Sequence, residues 1–318
     1  MNSKSYQDLL VILPTLNEQN SISTTIQSIQ NAAPGCKILV VDNGSTDQTL
    51  AECSKYEVQI AHEPNRGKGY AIRHGFSLLT KEHRAIFMVD ADDTYGVTGI
   101  ERAYRMILDK GYDMVVGNRV TDKINSGRAP EYKRGHRLGN HTFSLVGNLI
   151  HSVRIQDSLS GWRMMSASFV RSFPGGASGF EIEAELNGHA DLLHCAISNI
   201  DVAYRGRTDG STSKLRTYRD GLRIFRCNIQ IFKNDQPFKA FSILWIPISF
   251  VSVYFTQRAV SGYLKSGLVE QLPSFIAGVS GLSVAGLLWV TGMNLERSKQ
   301  IRSILARYEY NRSKGFNE

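Results

Sequence analysis

An α/β domain built on a mostly parallel sheet flanked by helices, followed by an amphipathic interfacial helix and two carboxyl-terminal transmembrane helices, is the architecture this sequence predicts. Three observations predict it. Short apolar runs alternate with a helical pattern across the first ninety residues and end abruptly in polar loops. One of those runs closes on three acids within four positions, Asp90, Asp92 and Asp93. Two long segments of the last quarter carry almost no charge. Alternation of strand and helix implies a parallel sheet, and in such sheets ligands bind outside the carboxyl ends of the strands.

The elements follow in order. Leu9 to Leu13 reads as a first strand, ending in Pro14-Thr15-Leu16-Asn17-Glu18. Ser21 to Ala32 reads as a helix, because Ile22, Ile26, Ile29 and Ala33 recur at helical spacing. Ile38 to Val41 is a second strand ending in Asp42-Asn43-Gly44-Ser45-Thr46-Asp47, and after a second helical stretch Phe87 to Asp90 is a further strand. All three polar motifs fall at strand ends and so converge on one site. Packing gains nothing from three clustered acids. A hard divalent cation would relieve their repulsion, although a solvated acidic turn presents the same letters. Ile124 to Gly139 and Pro174 to Gly179 read as loops; the first, long and basic, is either a lid over the site or a solvated surface loop.

Composition narrows the function classes. The chain has 318 residues, enough for one sizeable domain and an appendage, and its 37 basic against 29 acidic residues leave a net charge of +8, which points to an anionic partner. Nucleic acid is not the expected one, since the chain has no helix-turn-helix, zinc-finger or aromatic RNA-binding signature. The four cysteines form no Cys-x-x-Cys pair, so neither a zinc site nor a disulfide framework is expected. Met1 to Asp8 is polar, and no signal peptide is expected. Asn65-Arg66-Gly67-Lys68-Gly69 lacks the spacing and the Ser or Thr of a phosphate-binding P-loop.

Near the carboxyl end, Phe238 to Thr256 carries only Lys239 and Leu272 to Met293 carries no charge at all, so the second is long enough for a bilayer of about 30 Å and the first is marginal. Gly278, Gly281, Ser283, Ala285 and Gly286 are small residues of the kind found at membrane helix interfaces. Arg297, Lys299, Arg302, Arg307, Arg312 and Lys314 follow the second span, which places both termini in the cytoplasm. Arg216, Arg219, Arg223 and Arg226 recur beside Leu222, Phe225, Ile229 and Phe232, the pattern of an interfacial helix. The division expected is therefore 1–214 catalytic, 215–235 juxtamembrane, 236–294 transmembrane hairpin and 295–318 basic cytoplasmic tail.

The ordered set of motifs resembles the family 2 glycosyltransferases of GT-A fold, and within them the dolichol-phosphate mannose and glucose synthases and their bacterial polyprenyl-phosphate relatives. Residues 11–18, 41–47 and 65–71 look like the nucleotide-binding segments, and Asp90-Ala91-Asp92 like the metal motif. Gly117-Asn118-Arg119, Asp157 to Arg163, Gly179-Phe180-Glu181 with Glu185, and Gly210 to Leu215 continue the likeness, which spans residues 9 to 230. Any one piece is weak; the order and spacing carry the resemblance.

What the resemblance implies is inverting transfer of a hexose, with glucose preferred, from a UDP- or GDP-sugar to a polyprenyl phosphate at the cytoplasmic face of a lipid bilayer. Pro14, Asn17, Glu18 and Asp42 would hold base and ribose with Lys68 nearby, Asp90 would touch both ribose and metal, and Asp90 and Asp92 would hold Mg2+ or Mn2+. A phosphate acceptor is already nucleophilic, its second pKa being near 6, and needs cations rather than a base. Arg119, Arg163, Arg207, Ser211, Ser213 and Lys214, with Arg137 and Ser160, are the residues assigned to it; Asp92, Arg119, Arg163 and Lys214 are assigned to catalysis. Glu181 and Glu185 either orient a sugar hydroxyl or the basic cluster, or make salt bridges on a helix. The chain departs from the pattern in having Thr94 where some relatives have Gln, which leaves open whether Asp93, Thr94 or water completes the metal shell. The Arg207 to Lys214 stretch is one residue longer than in the shortest relatives, so the choice between Ser211 and Ser213 stays open. Two other classes remain: a glycosyltransferase acting on a sugar hydroxyl, and a silent sugar-nucleotide-binding scaffold. Relatives form tetramers, and a homo-oligomer is expected.

Overall fold

The structure, a computed structural model, describes residues 6–121, 155–205, 229, 232–233 and 236–315. The chain divides into two units, residues 1–228 with 306–318, and residues 229–305.

In the first unit the elements run β1 (Leu9–Thr15), α1 (Ile22–Ala32), β2 (Lys37–Asp42), α2 (Thr49–Cys53), β3 (Gln59–His62), α3 (Lys68–Ser77), β4 (Ala85–Met88), α4 (Ile100–Leu108), β5 (Met114–Thr121), β6 (Arg163–Ser166), α5 (Ala167–Arg171), α6 (Ile182–Leu193) and β7 (Ile197–Tyr204). Seven strands form one sheet in the order β3-β2-β1-β4-β6-β5-β7. All pairings are parallel except those of β6, which lies antiparallel between β4 and β5.

Continuous apolar runs suit strands covered on both faces, and β1 shows the division. Leu9, Val11 and Leu13 enter one core with Ile22, Ile26, Phe87 and Trp162. Leu10 and Ile12 enter the other with Ile72, Met88, Phe169 and Leu186. Burying each such side chain stabilises the fold by about 1.5–3 kcal/mol. Register then does the positioning. Thr15 stands opposite Asp42 and Ile12 opposite Met88, so the loops after β1, β2 and β4 emerge side by side. Strand β6 begins at the same rim, with Arg163 opposite both Met88 and Val116.

The mostly parallel sheet, its order of elements and the two apolar helices match the expectation. Two details differ. β3 is an additional four-residue edge strand whose side chains are largely exposed, so it has no apolar run to announce it, and the strand expected over Phe87 to Asp90 is β4, which runs from Ala85 and ends at Met88.

The second unit centres on α7 (Pro237–Ser266) and α8 (Leu272–Lys314). Both are long and apolar enough to cross a membrane, and only 6% and 17% of their most apolar windows are buried in the protein, which is not how core helices behave. The small residues have a specific use here. A side chain at Gly278 would come within 2.2 Å of Thr256 Oγ1, and one at Gly281 within 2.0 Å of Ser252 Oγ, so these glycines let the two helices approach within the hairpin. Both helices outrun the expected spans. α8 continues unbroken to Lys314, so residues 295–318 are not a separate tail. Its last turns belong to the first unit: the Tyr310 hydroxyl donates to Asp113, and Ser313 Oγ donates to the Ser168 carbonyl at 3.2 Å. The juxtamembrane segment 215–235 and the loop 124–139 lie outside the described residues, apart from isolated positions of the former.

Candidate active site

The loops after β1 and β2 are stitched together. Asn17 adopts a left-handed backbone, φ 52°, which its short polar side chain tolerates. Its N–H donates to Ser45 Oγ at 3.0 Å, and its Oδ1 accepts from the Thr46 N–H at 2.7 Å. Glu18 donates its N–H to Thr49 Oγ1 at 2.8 Å, and its carboxylate accepts from Ser21 Oγ at 3.0 Å just before α1. Asp42, 3% exposed, accepts from the N–H groups of Gly44 and Ser45 at 3.3 and 3.1 Å, a local turn that fixes the second loop. Pro14 is half-buried at the end of β1. Asn43, which the sequence does not single out, ties this pair to the third loop: its amide donates to the Asn65 carbonyl at 2.7 Å and accepts from the Gly67 N–H at 2.6 Å.

The acids follow β4. Asp92 is 6% exposed, and its Oδ1 accepts from the Thr94 hydroxyl at 2.6 Å and, at 3.3 Å, from the Thr94 N–H. Thr94 thus aims Asp92. Asp93 takes a left-handed backbone, φ 56°, and burial pushes its carboxyl above the ordinary range, with Arg205 opposing. Asp90 packs against Gly161, where a side chain would lie 2.4 Å from its Oδ2. Among the described residues no group of three His, Cys, Asp or Glu side chains converges for a metal. Mg2+ and Mn2+ commonly take one or two carboxylates and fill the remaining positions with water and substrate phosphate. Asp90 and Asp92, hard oxygen donors at one loop rim, fit such a shared ion.

Beneath Asp90 lies a buried charge network. Lys68 Nζ is 2.5 Å from Asp90 Oδ1 and 2.7 Å from Glu183 Oε1, with its side chain 11% exposed and that of Glu183 3%. Burial disfavours the Lys68 ammonium, but the two carboxylates outweigh burial and raise its pKa, so it stays charged. Burial pushes Glu183 up, and Lys68 pulls it back.

Glu181 and Glu185 turn elsewhere. Glu181 accepts from the N–H groups of Ser178 and Gly179 at 3.1 and 3.0 Å, and Glu185 from those of Gly176 and Ala177 at 2.8 Å each. Both brace the 174–179 loop. That loop presses on the start of α3: at Gly67, φ 145°, any side chain would meet the Ser178 carbonyl at 1.9 Å.

Two residues assigned to the acceptor are not presented to solvent. Arg163 and Ser160 are fully buried. The Arg163 guanidinium donates to the carbonyls of Ser160 and Ser158 at 3.0 Å each and to Asn187 Oδ1 at 2.7 Å, and burial lowers it to about 10. Ser160 Oγ accepts from the Trp162 N–H at 3.3 Å. The reason is topological: Arg163 opens an interior strand and its guanidinium closes the turn that leads into it. Arg119 is partly buried, its side chain 16% exposed, and is forked onto Asp157 at 2.5 and 2.7 Å with its guanidinium 5.6 Å from the Tyr204 ring centre. Arg137, Arg207, Ser211, Ser213 and Lys214 lie outside the described residues.

A parallel-dominated sheet with an acidic rim after β4 and a clamped lysine from the third loop is the GT-A architecture. The chain matches the family model described as glycosyl transferase family 2 over residues 10–169 and belongs to that family; it is a glycosyltransferase. Glycosyltransferase AglJ of Haloferax volcanii is 29% identical over 220 residues, covering 68% of this chain and 69% of the relative. A dolichyl-phosphate hexose transferase of the same organism is 24% identical over 231 residues, covering 73% of this chain and 96% of the relative. Among solved structures, the glucosyl-3-phosphoglycerate synthase of Mycobacterium tuberculosis in complex with Mn2+ and uridine-diphosphate-glucose shares the fold, with a TM-score of 0.54 at 19% identity over 70% of this chain and 79% of that one.

Proposed function

We propose that this glycosyltransferase moves a hexose from a nucleotide sugar to a polyprenyl phosphate at the cytoplasmic face of a membrane, inverting the anomeric carbon. The observation that carries the reading is the union, in one chain, of a family 2 catalytic unit with two helices that are apolar and largely unburied. The likeness to a dolichyl-phosphate hexose transferase over nearly that protein's whole length supports the same acceptor class. UDP-glucose is the donor assigned, the one that accompanies Mn2+ in the solved neighbour.

In this reading Pro14, Asn17, Glu18 and Asp42 hold the base and ribose, with Lys68 nearby and Asp90 touching both the ribose and the metal. A Mg2+ or Mn2+ ion held by Asp90 and Asp92 supplies Lewis acidity to the departing diphosphate when bound. The acceptor phosphate needs no general base, because most of it is dianionic at neutral pH. Arg119, Arg137, Arg207 and Lys214, with Ser211 or Ser213, hold it. Ser160 and Arg163 act one layer below by fixing the turn that carries Asp157, the partner of Arg119. Both termini are cytoplasmic, and the chain works as a homo-oligomer. The test is a panel: full-length protein in liposomes with undecaprenyl phosphate and each of several UDP- and GDP-hexoses, read by mass spectrometry. A glycolipid from UDP-glucose is the expected product; no glycolipid from any donor refutes the reading.

A further inference from the structure

We propose that Glu183 is a positioning residue that sets how tightly Asp90 takes a divalent cation, by holding the Lys68 ammonium between two carboxylates. The proposal rests on the assignment of Asp90 and Asp92 to the metal. Three features of the buried network carry it. First, Lys68 reaches Asp90 Oδ1 at 2.5 Å, so any cation bound to Asp90 shares that carboxylate with an ammonium, and two positive charges a few ångströms apart repel strongly where water is scarce. Second, Glu183 Oε1 stands on the same ammonium at 2.7 Å and offsets its charge. Third, the other oxygen, Oε2, is buried with no hydrogen-bond partner among the described residues. Glu183 is therefore not part of the hydrogen-bonded framework around it. Arg163 spends its donors on Ser158, Ser160 and Asn187, and Glu181 and Glu185, two residues away on either side, are committed to the 174–179 loop.

Removing the charge of Glu183 leaves Lys68 with Asp90 as its only carboxylate, and the ammonium then competes with the cation for it. The expected size is about tenfold in metal affinity, the effect of one unit charge acting at several ångströms in a partly screened site.

The test measures Mn2+ binding to full-length protein in detergent from the free-ion electron paramagnetic resonance signal, without substrate. Glu183→Gln should weaken Mn2+ binding about tenfold, and Glu183→Asp, which keeps the charge, should weaken it far less. Lys68→Met should tighten binding about tenfold. In the Lys68→Met background, adding Glu183→Gln should change affinity by about twofold or less, because Glu183 acts through Lys68. Loss of transfer in Glu183→Gln should be recovered largely by raising Mn2+, an effect on the apparent KM for metal rather than on kcat. Thermal unfolding checks that each variant folds; if Glu183→Gln does not, the Lys68→Met result decides, since failure to tighten overturns the proposal. Wild-type affinity in Glu183→Gln, or an equal penalty in both backgrounds, also overturns it. Asp92→Asn separates the two claims: unchanged Mn2+ binding in that variant would sink the metal assignment itself, while a loss there with no effect at Glu183 would sink only the positioning role.

Discussion

Asp92 accepts both Thr94 hydrogen bonds on Oδ1, which fixes the carboxylate at the loop rim where a metal is proposed to bind. Asp92→Asn keeps the shape and the Thr94 contacts but removes an anionic ligand, so transfer should fall by at least a hundredfold, about 2.7 kcal/mol of barrier, while the melting temperature barely moves. Wild-type turnover at saturating Mn2+ would show that Asp92 is not a ligand. At this scale the strand-end residues were legible because their chemistry is local: Asn17, Asp42 and Asp92 each sit where an apolar run stops. Glu183 was not. Glu181 caps α6, and Glu183 and Glu185 lie in its first turn; helical spacing places 181 and 185 on one face and 183 on the other, but only the ion pair of Glu183 with Lys68 at 2.7 Å shows which face meets that lysine. Arg163 misled for a related reason. An arginine ending a polar motif reads as a ligand, whereas here it opens a strand between two others and is buried with its donors satisfied.

The elements with strong periodicity were readable, and those with short or exposed sequences were not. β1 is seven residues of nearly unbroken apolar character, while β3 depends on its neighbour β2 for every contact that makes it a strand. The helical hairpin was visible as two segments that together carry a single charge, Lys239, yet the role of its glycines needed the structure, because small residues serve contacts within a chain and between chains equally well. Gly281→Leu should separate α7 from α8, since the added side chain meets Ser252; overpacking of this kind costs about 1–3 kcal/mol. A cysteine pair placed across the hairpin should then crosslink more slowly than in the parent protein. Unchanged crosslinking would mean that the hairpin does not rely on that close approach.

For the whole molecule, the carboxyl-terminal helix has two roles along its length. Its first half is apolar and largely unburied, and its last turns pack into the catalytic unit, where Tyr310 and Asp113 are both buried. A basic tail was all that the charges from Arg297 to Lys314 suggested, because a single tyrosine and serine at helical spacing carry no signal of the surface they will meet. Deleting everything after Asn234 should therefore release the chain from the membrane fraction and also lower its melting temperature, while some transfer to a short, soluble prenyl phosphate survives. Tyr310→Phe isolates the second effect: it removes one hydrogen bond to a buried carboxylate, about 1.5–3 kcal/mol, without disturbing membrane association. If Tyr310→Phe melts at the wild-type temperature, the helix end is not part of the catalytic unit's stability.

A lipid-phosphate acceptor is tested most directly by comparing two acceptors that differ only in the phosphate. Full-length protein in liposomes, with UDP-glucose and Mn2+, is given a polyprenyl phosphate or the corresponding polyprenol, and initial rates are followed by transfer of labelled glucose into lipid. Transfer to the phosphate alone is expected, because only that acceptor brings its own nucleophilic oxygen and an anion for the basic residues to hold. Equal transfer to the polyprenol, or to a free sugar hydroxyl in its place, would contradict it and require a general base that this reading does not assign.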